Sequence, residues 1–359
     1  MTIPKIADEI RTLRSRLHRI PEPAFHETQT KAMLMDFCSG IPEMEVTDRG
    51  EWFYCRRKGK DPENAIAFRA DFDAVAGTDG SVGHFCGHDG HAAILAGFGK
   101  YLAELPPERT VYLIFQPAEE IGKGAQKCAD LLAEKGIREI YGFHNIPGFP
   151  KNSILLREGT FACASTGMEI TITGAPSHAA YPEDGRNPAK VIAELILHLD
   201  AYLQQPHRGV VLGTVIGVEL GSSAYGVSAG KGILRLTLRA EEPEEYDQLL
   251  HSVCETAKKK SESQGMTCRI RYEDPFPATV NKSACVRKVE KAAEQLGLAL
   301  CRPSEPFRWS EDFGYYLQKT DGAFFGVGDG ETHPQLHTAE YEFPDGIVET
   351  VIRIYARLL

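Results

Sequence analysis

No run of apolar residues in this 359-residue chain approaches the ~20 that a membrane-spanning helix needs. Basic charge is not in excess either. Forty Lys+Arg stand against fifty Asp+Glu, a formal charge of −10, which speaks against a nucleic-acid-binding body. No C-x-x-C pair occurs among the nine cysteines, which are scattered at 38, 55, 86, 128, 163, 254, 268, 285 and 301. Their odd number and irregular spacing disfavour a disulfide framework and fit a reducing cytoplasm. The opening stretch MTIPKIADEIRTLRSRLHRI mixes charges at helical spacing and has no apolar signal core, so a secretory leader is not expected. Internal repeats and low-complexity tracts are missing too. What is present is ordinary for a globular protein, with 42% hydrophobic and 25% charged residues. The length suits one large or two ordinary domains with a core of their own.

Ile6, Ile10, Leu13, Leu17 and Ile20 fall on one helical face, and Pro21 is expected to end that helix. Short β-rich runs follow at 64–69, 110–116 and 139–143, alternating with helical patterns over 90–105 and 124–135. Such alternation predicts an α/β sandwich around a largely parallel sheet. The rhythm changes near residue 163. Strand 169–173, helix 188–203, strands 209–219 and 232–239, helix 243–261 and strand 266–272 spell β-α-β-β-α-β, the split motif of a ferredoxin-like domain. Helix 282–297, strand 322–327 and helix 344–359 then resume the first pattern. The smaller domain is therefore read as an insertion, giving a first part over 1–162, an inserted domain over 163–275 and a second part over 276–359.

Four clusters carry chemistry. In Gly83-His84-Phe85-Cys86-Gly87-His88-Asp89-Gly90-His91, Cys86 and His88 are two apart, so on an extended segment both point to the same side. A thiolate and an imidazole there suit zinc or another first-row divalent ion, whereas Asp89 can simply cap the next helix. Glu119 and Glu120 follow the strand TVYLIF; one acid can serve a metal and the other a water as general base. His144 follows another strand. Asp71 and Asp73 stand at the end of a third, where carboxylates can orient an imidazole or equally form a turn. In an open α/β sheet, ligands bind outside the carboxyl ends of the strands, so one crevice can gather the whole set. Cys, His, Glu and Asp together are the donors of a metal hydrolase.

Beyond these clusters the chain resembles the M20 metallopeptidase family, in its amidohydrolase/N-acyl-amino-acid hydrolase branch. The resemblance rests on LHRIPEP (17–23), RADFDA (69–74), HFCGHDGH (84–91), FQPAEE (115–120), GFHNIP (142–147), GAPSHAAYP (174–182), SEDF (310–313) and LHTAEY (336–341), in family order over nearly the whole chain. It implies a zinc-peptidase-like αβα sandwich with an inserted ferredoxin-like lid and dimerisation domain. It also implies Cys86, His88, Glu120, His144 and His337 as ligands of two divalent ions per subunit, zinc or else manganese, cobalt or nickel. His337 enters only through the resemblance, because His333 lies four residues away and spacing does not separate them. By the same resemblance Glu119 is the general base and Asp71 the acid supporting the metal site. His178 is then the histidine that a partner subunit contributes to stabilise the oxyanion.

The implied partners are a small amide substrate and a second copy of the chain, with no nucleic acid or membrane, in the cytoplasm. Some positions depart from the family pattern. The stretch 75–85 is short, Phe85 replaces a small residue next to Cys86, and Arg235 and Arg239 compete as holders of a substrate carboxylate. Within the family, a dipeptidase or aminopeptidase is the rival activity. Outside it, the rivals are a thiol hydrolase using Cys86 and a non-catalytic binding protein.

Overall fold

The computed structural model describes residues 2–77, 80–104 and 107–359. No helix among them is long and apolar enough to cross a membrane. The chain divides into two compact units, one formed by Met1–Phe161, Thr279–Ser304 and Glu311–Leu359, the other by Ala162–Ala278 with Glu305–Ser310.

The first unit is built on an eight-stranded sheet in the order Glu45–Asp48, Phe53–Arg57, Arg109–Gln116, Asp61–Asp71, Ile137–Pro147, Asp321–Gly330, Ile154–Leu155, Leu300–Cys301. Its four central strands run parallel. Phe53–Arg57 joins them antiparallel at one side and Ile154–Leu155 at the other, so the sheet is mixed, with the expected parallel strands at its centre. The central strands are buried along most of their length, which explains why they read as near-continuous apolar runs. Helices His88–Glu104, Ile3–Leu17, Ser283–Gln295 and Val348–Leu358 supply the apolar faces that share one core with the sheet.

Several elements differ from the sequence pattern. The first helix ends at Leu17, three residues early, where His18 turns its ring to Asp89. The helix expected over 124–135 is two short ones, Gly124–Cys128 and Asp130–Glu134, separated by a shift of hydrogen bonding at Ala129, whose dihedrals stay helical. The helix read over 90–105 spans His88–Glu104, and Leu105 lies outside the described residues. Thr28–Ser39 is a helix that periodicity misses, because its inward stripe is only Thr30, Leu34 and Cys38.

The second unit holds an antiparallel sheet in the order Val211–Leu220, Lys231–Ala240, Ala164–Thr173, Thr267–Phe276. Helices Ala189–Leu203 and Pro243–Ser263 complete the β-α-β-β-α-β order. Met168, Ile170 and Ile172 alternate inward along one strand, and Leu234, Leu236 and Leu238 along its neighbour, to meet Leu195, Leu199, Leu249 and Val253 from the helices. The edge strand Val211–Leu220 instead leaves Val215, Ile216, Val218 and Leu220 exposed.

Candidate metal centre

The carboxyl ends of the parallel strands of the first unit deliver most of the polar cluster. Asp71 ends its strand, and Gln116 ends the neighbouring one, from which Pro117 leads into Glu119 and Glu120. His144 lies inside Ile137–Pro147 rather than beyond it, because pairing with Asp321–Gly330 continues through Gly326 opposite His144. Cys86 precedes the helix His88–Glu104, whose first residue is His88. Gly87 between them has φ +89°, and a Cβ there would stand 2.8 Å from Asn145 Oδ1, so the sharp turn between the two donors requires glycine.

These segments converge. His144 Nε2 lies 3.5 Å and His337 Nε2 3.3 Å from Cys86 Sγ. His88 Nε2 lies 3.7 Å and His337 Nε2 3.6 Å from Glu120 Oε1. Two ligands bonded to one tetrahedral ion at about 2.0–2.3 Å are separated by about 3.3–3.8 Å, the same spacing. One donor atom each from Cys86, His88 and His144 lies within 4.8 Å of the others; the same holds for Cys86, Glu120 and His337, and for His88, Glu119 and Glu120. The three sets overlap at Cys86, His88 and Glu120, the arrangement expected where two ions sit side by side. His88 Nε2 and Glu120 Oε1 are buried without any hydrogen-bond partner, a costly state that a bound cation relieves. The donor set therefore fits a pair of divalent ions.

Neighbouring groups fix the donors. His144 Nδ1 donates to the Asn145 carbonyl at 2.7 Å, and His88 Nδ1 faces the Asp73 carbonyl and Asp73 Oδ1, both at 3.1 Å. Acceptors at Nδ1 put the proton there and leave the Nε2 lone pair of each ring directed into the centre. Asp73 Oδ2 also accepts the Glu120 amide at 3.0 Å, so one carboxylate orients two proposed ligands. Asp71 accepts from His91 Nδ1 at 2.6 Å and from Arg69 at 2.6 Å. His91 bonds Asn145 Oδ1 through its other nitrogen, at 2.5 Å, so it is fully engaged. His337, with φ +62° and its side chain 52% exposed, is held by its amide on the Phe85 carbonyl at 2.8 Å. His333 turns away to the Glu342 carbonyl, which separates two histidines that spacing leaves equivalent.

Sequence reasoning misses a buried ionic hub beneath this centre. Arg69, 1% exposed, reaches Gln116 at 2.8 Å, Asp312 at 2.7 Å and Glu311 at 3.0 Å in addition to Asp71. The Asp312 amide donates to Glu119 Oε1 at 3.3 Å. The motif SEDF contains both acids, but nothing local in it points to an arginine 243 positions away. One cation among three buried carboxyls leaves negative charge to be relieved by protons. Burial, with Asp71 and Asp312 nearby, pushes Glu311 up to about 8 even against Arg69. Burial raises Asp312 to about 6, whereas Asp71 is held well below the usual carboxylate range by His88, Arg69 and His91, which outweigh its burial. Glu119 is pushed up by burial and by Glu311, Asp312, Glu120 and Asp71. Burial, with Glu120, Glu119 and Asp71 nearby, raises the Cys86 thiol, so a thiolate there needs a cation beside it.

The second unit holds the remaining candidates. His178 is exposed after the strand Ala164–Thr173, its Nδ1 accepting the Ala180 amide at 3.1 Å. Arg235 is committed to Glu169 at 3.0 Å and Glu219 at 2.5 Å, while Arg239 bonds the Arg308 carbonyl and Ser310 Oγ, both at 2.9 Å.

Residues 67–359 match the sequence profile of peptidase family M20/M25/M40. The chain is 28% identical over 364 residues to an N-acetyldiaminopimelate deacetylase of Lacticaseibacillus casei (strain BL23), covering 95% of this chain and 94% of that protein. Among solved structures, Bacillus subtilis YxeP, described as a dinuclear metal-binding peptidase of the M20 family, superposes with a TM-score of 0.84 at 23% identity, covering 99% of this chain and 97% of that one. An aminobenzoyl-glutamate utilisation protein of Klebsiella pneumoniae gives a TM-score of 0.75 at 19% identity, covering 99% and 96%. At these identities the two structures speak to the fold alone.

Proposed function

The chain belongs to peptidase family M20/M25/M40. We propose that, as a metal-dependent hydrolase of the amide bond of N-acyl amino acids, it removes a small acyl group, acetyl first among them, from an amino acid. The observation that carries the reading is the convergence of Cys86, His88, Glu120, His144 and His337, with the buried His88 Nε2 and Glu120 Oε1 unpartnered. The acetyl assignment is supported by the lactobacillar relative and its name.

Cys86, His88, Glu120, His144 and His337 would hold two divalent ions. Zinc suits the thiolate–imidazole donors best, with manganese, cobalt and nickel as alternatives. When bound, such ions make water acidic enough to lose a proton near neutral pH and polarise an amide carbonyl. Glu119 takes the water's proton on its carboxylate and returns it to the leaving amine, which must be protonated before the C–N bond breaks. Its environment, which raises its proton affinity, suits that exchange. Asp71 supports the centre through His91 and Asp73 through His88.

His178 donates a hydrogen bond to the developing oxyanion from a partner subunit in this reading. A dimer through the edge strand Val211–Leu220 is supported by its exposed Val215, Ile216, Val218 and Leu220. We place the enzyme in a reducing cytoplasm, consistent with nine free cysteines. A thiol hydrolase built on the Cys86–His144 pair is disfavoured, because the surroundings of Cys86 raise its thiol instead of ionising it.

Metal analysis of the purified protein, then a screen of N-acetyl amino acids against dipeptides with that metal restored, tests the proposal. About two ions per chain and preference for the acetyl substrates are expected. Full activity after chelation, together with inactivation by iodoacetamide, would overturn it.

A further inference from the structure

Glu27 is 5% exposed, at the end of the loop before the helix Thr28–Ser39. A carboxylate at that place ordinarily caps its own helix. Here the cap is Glu22, which accepts the Gln29 amide at 2.9 Å and the Thr30 amide at 2.8 Å. Glu27 instead sends Oε1 to the Ala118 amide at 2.9 Å. Ala118 has φ +53°, a left-handed conformation that residues with a Cβ rarely adopt, and Glu119 and Glu120 follow it directly.

The rest of the turn is closed by its own backbone. The Ala118 carbonyl accepts the amides of Lys123 and Gly124, both at 3.2 Å, and the Glu119 carbonyl accepts that of Gly122 at 2.8 Å. A Cβ on Gly124 would stand 1.7 Å from the Pro117 carbonyl oxygen, so the loop is drawn tight. Asp73 and the Asp312 amide hold Glu120 and Glu119 from the other side. Among these contacts from other segments, Glu27 alone touches neither the base nor a ligand. The loop carrying it is itself fastened, with the Phe25 ring 4.1 Å from Lys127 Nζ on the helix that follows the turn.

We infer that Glu27 is a positioning residue for the catalytic turn, holding Ala118 in its left-handed conformation so that Glu119 and Glu120 leave the strand end in opposite roles. The inference rests on the reading of Glu119 as base and Glu120 as ligand. It assigns part of the site's geometry to a loop some ninety residues upstream in sequence, which reaches the turn at the Ala118 amide.

The test uses the full chain and two readouts, turnover of an N-acetyl amino acid and the dissociation constant for Mn²⁺ or Zn²⁺ by competition with a chromophoric chelator. Glu27→Ala is expected to lower kcat by about ten- to a hundredfold with little change in KM, and to weaken metal binding by about tenfold. Glu27→Gln keeps an oxygen on the Ala118 amide and is expected to stay within about threefold of wild type in both readouts. Adding Ala118→Gly to Glu27→Ala is expected to restore part of both, since glycine adopts the left-handed region unaided. Glu27→Asp, which shortens the reach by one carbon, carries the test if the alanine variant does not fold, with the same expected losses. Losses in Glu27→Gln as large as in the shortened variants, or none in either shortened variant, would overturn the inference. A wild-type chain that binds metal but turns over no N-acyl amino acid would sink the functional reading, and the metal constants would still decide Glu27.

Discussion

Replacing Arg69 by Met removes the only cation of a hub that holds three buried carboxyls among the described residues. Breaking a buried ion pair by deleting one partner costs about 3–5 kcal/mol, because the other charge is left without compensation. The damage is unequal across the three acids. Glu311, up to about 8, already holds a proton at neutral pH, and Asp71 keeps His91 and the nearby His88. The stranded charge is therefore mainly Asp312, left with Gln116 at 2.8 Å and the Ala125 amide at 2.9 Å.

Asp312 can escape by taking a proton, which caps the loss and makes it depend on pH. Removing Arg69 raises the carboxyl further above the about 6 it has now, so the folded variant binds a proton that the unfolded chain releases. Each pH unit below the new value then recovers up to about 1.4 kcal/mol. We expect Arg69→Met to cost about 3–5 kcal/mol at pH 8 and up to about 2–3 kcal/mol less at pH 6. The added change Asp312→Asn should recover much of the pH 8 loss. Urea unfolding of the wild type, Arg69→Met and the double variant at both pH values and fixed free metal measures this. A cost below about 1 kcal/mol at pH 8, or one that does not shrink at pH 6, would refute the charge-compensation reasoning.

Other expectations follow from the same geometry. Glu119→Gln should lower kcat by about 10²–10⁴ while metal content stays near that of wild type; unchanged turnover would remove Glu119 from the role of base. Glu311 is raised from about 4.5 to about 8 on folding, so it favours the folded state at low pH and that contribution fades as pH rises between those values. Glu311→Gln should flatten the stability profile across this window, by a slope of at most about 1.4 kcal/mol per pH unit, measured by urea titrations from pH 5 to pH 9. A mixture of His178→Ala and Glu119→Gln subunits should recover activity that neither variant shows alone; none in verified heterodimers would return His178 to an ordinary surface role.

What the sequence displays is set by how local the physical cause is. The first helix announces itself because Ile6, Ile10, Leu13 and Leu17 must all face one core. The inserted unit is legible because its strands alternate inward and outward with period two. Cys86 with His88, and Glu119 with Glu120, stand out because side chains of metal-binding and acid type sit close together in sequence. The hub does not stand out, because Arg69 owes its place to Gln116, Glu311 and Asp312, which only the folded sheet brings near. Glu27 is hidden for a further reason: it acts on a backbone amide, and a backbone amide leaves no mark on residue type. The choice between His333 and His337 needs the path of one loop, along which the His337 amide bonds the Phe85 carbonyl and its ring lies beside Cys86.

The sheet order carries a consequence for how the protein is made. Ile137–Pro147 pairs with Asp61–Asp71 on one side and with Asp321–Gly330 on the other. During synthesis the second partner emerges only after the entire inserted unit has been translated, and His337 later still. For all that time the nascent first unit presents an open, apolar strand edge, a template for pairing with another unfinished chain. The inserted unit, by contrast, has its four strands in hand by Phe276 and can fold while the first unit waits. The vulnerable species is thus the nearly finished chain on the ribosome, and a truncation before Asp321 should accumulate as aggregate with its inserted unit folded.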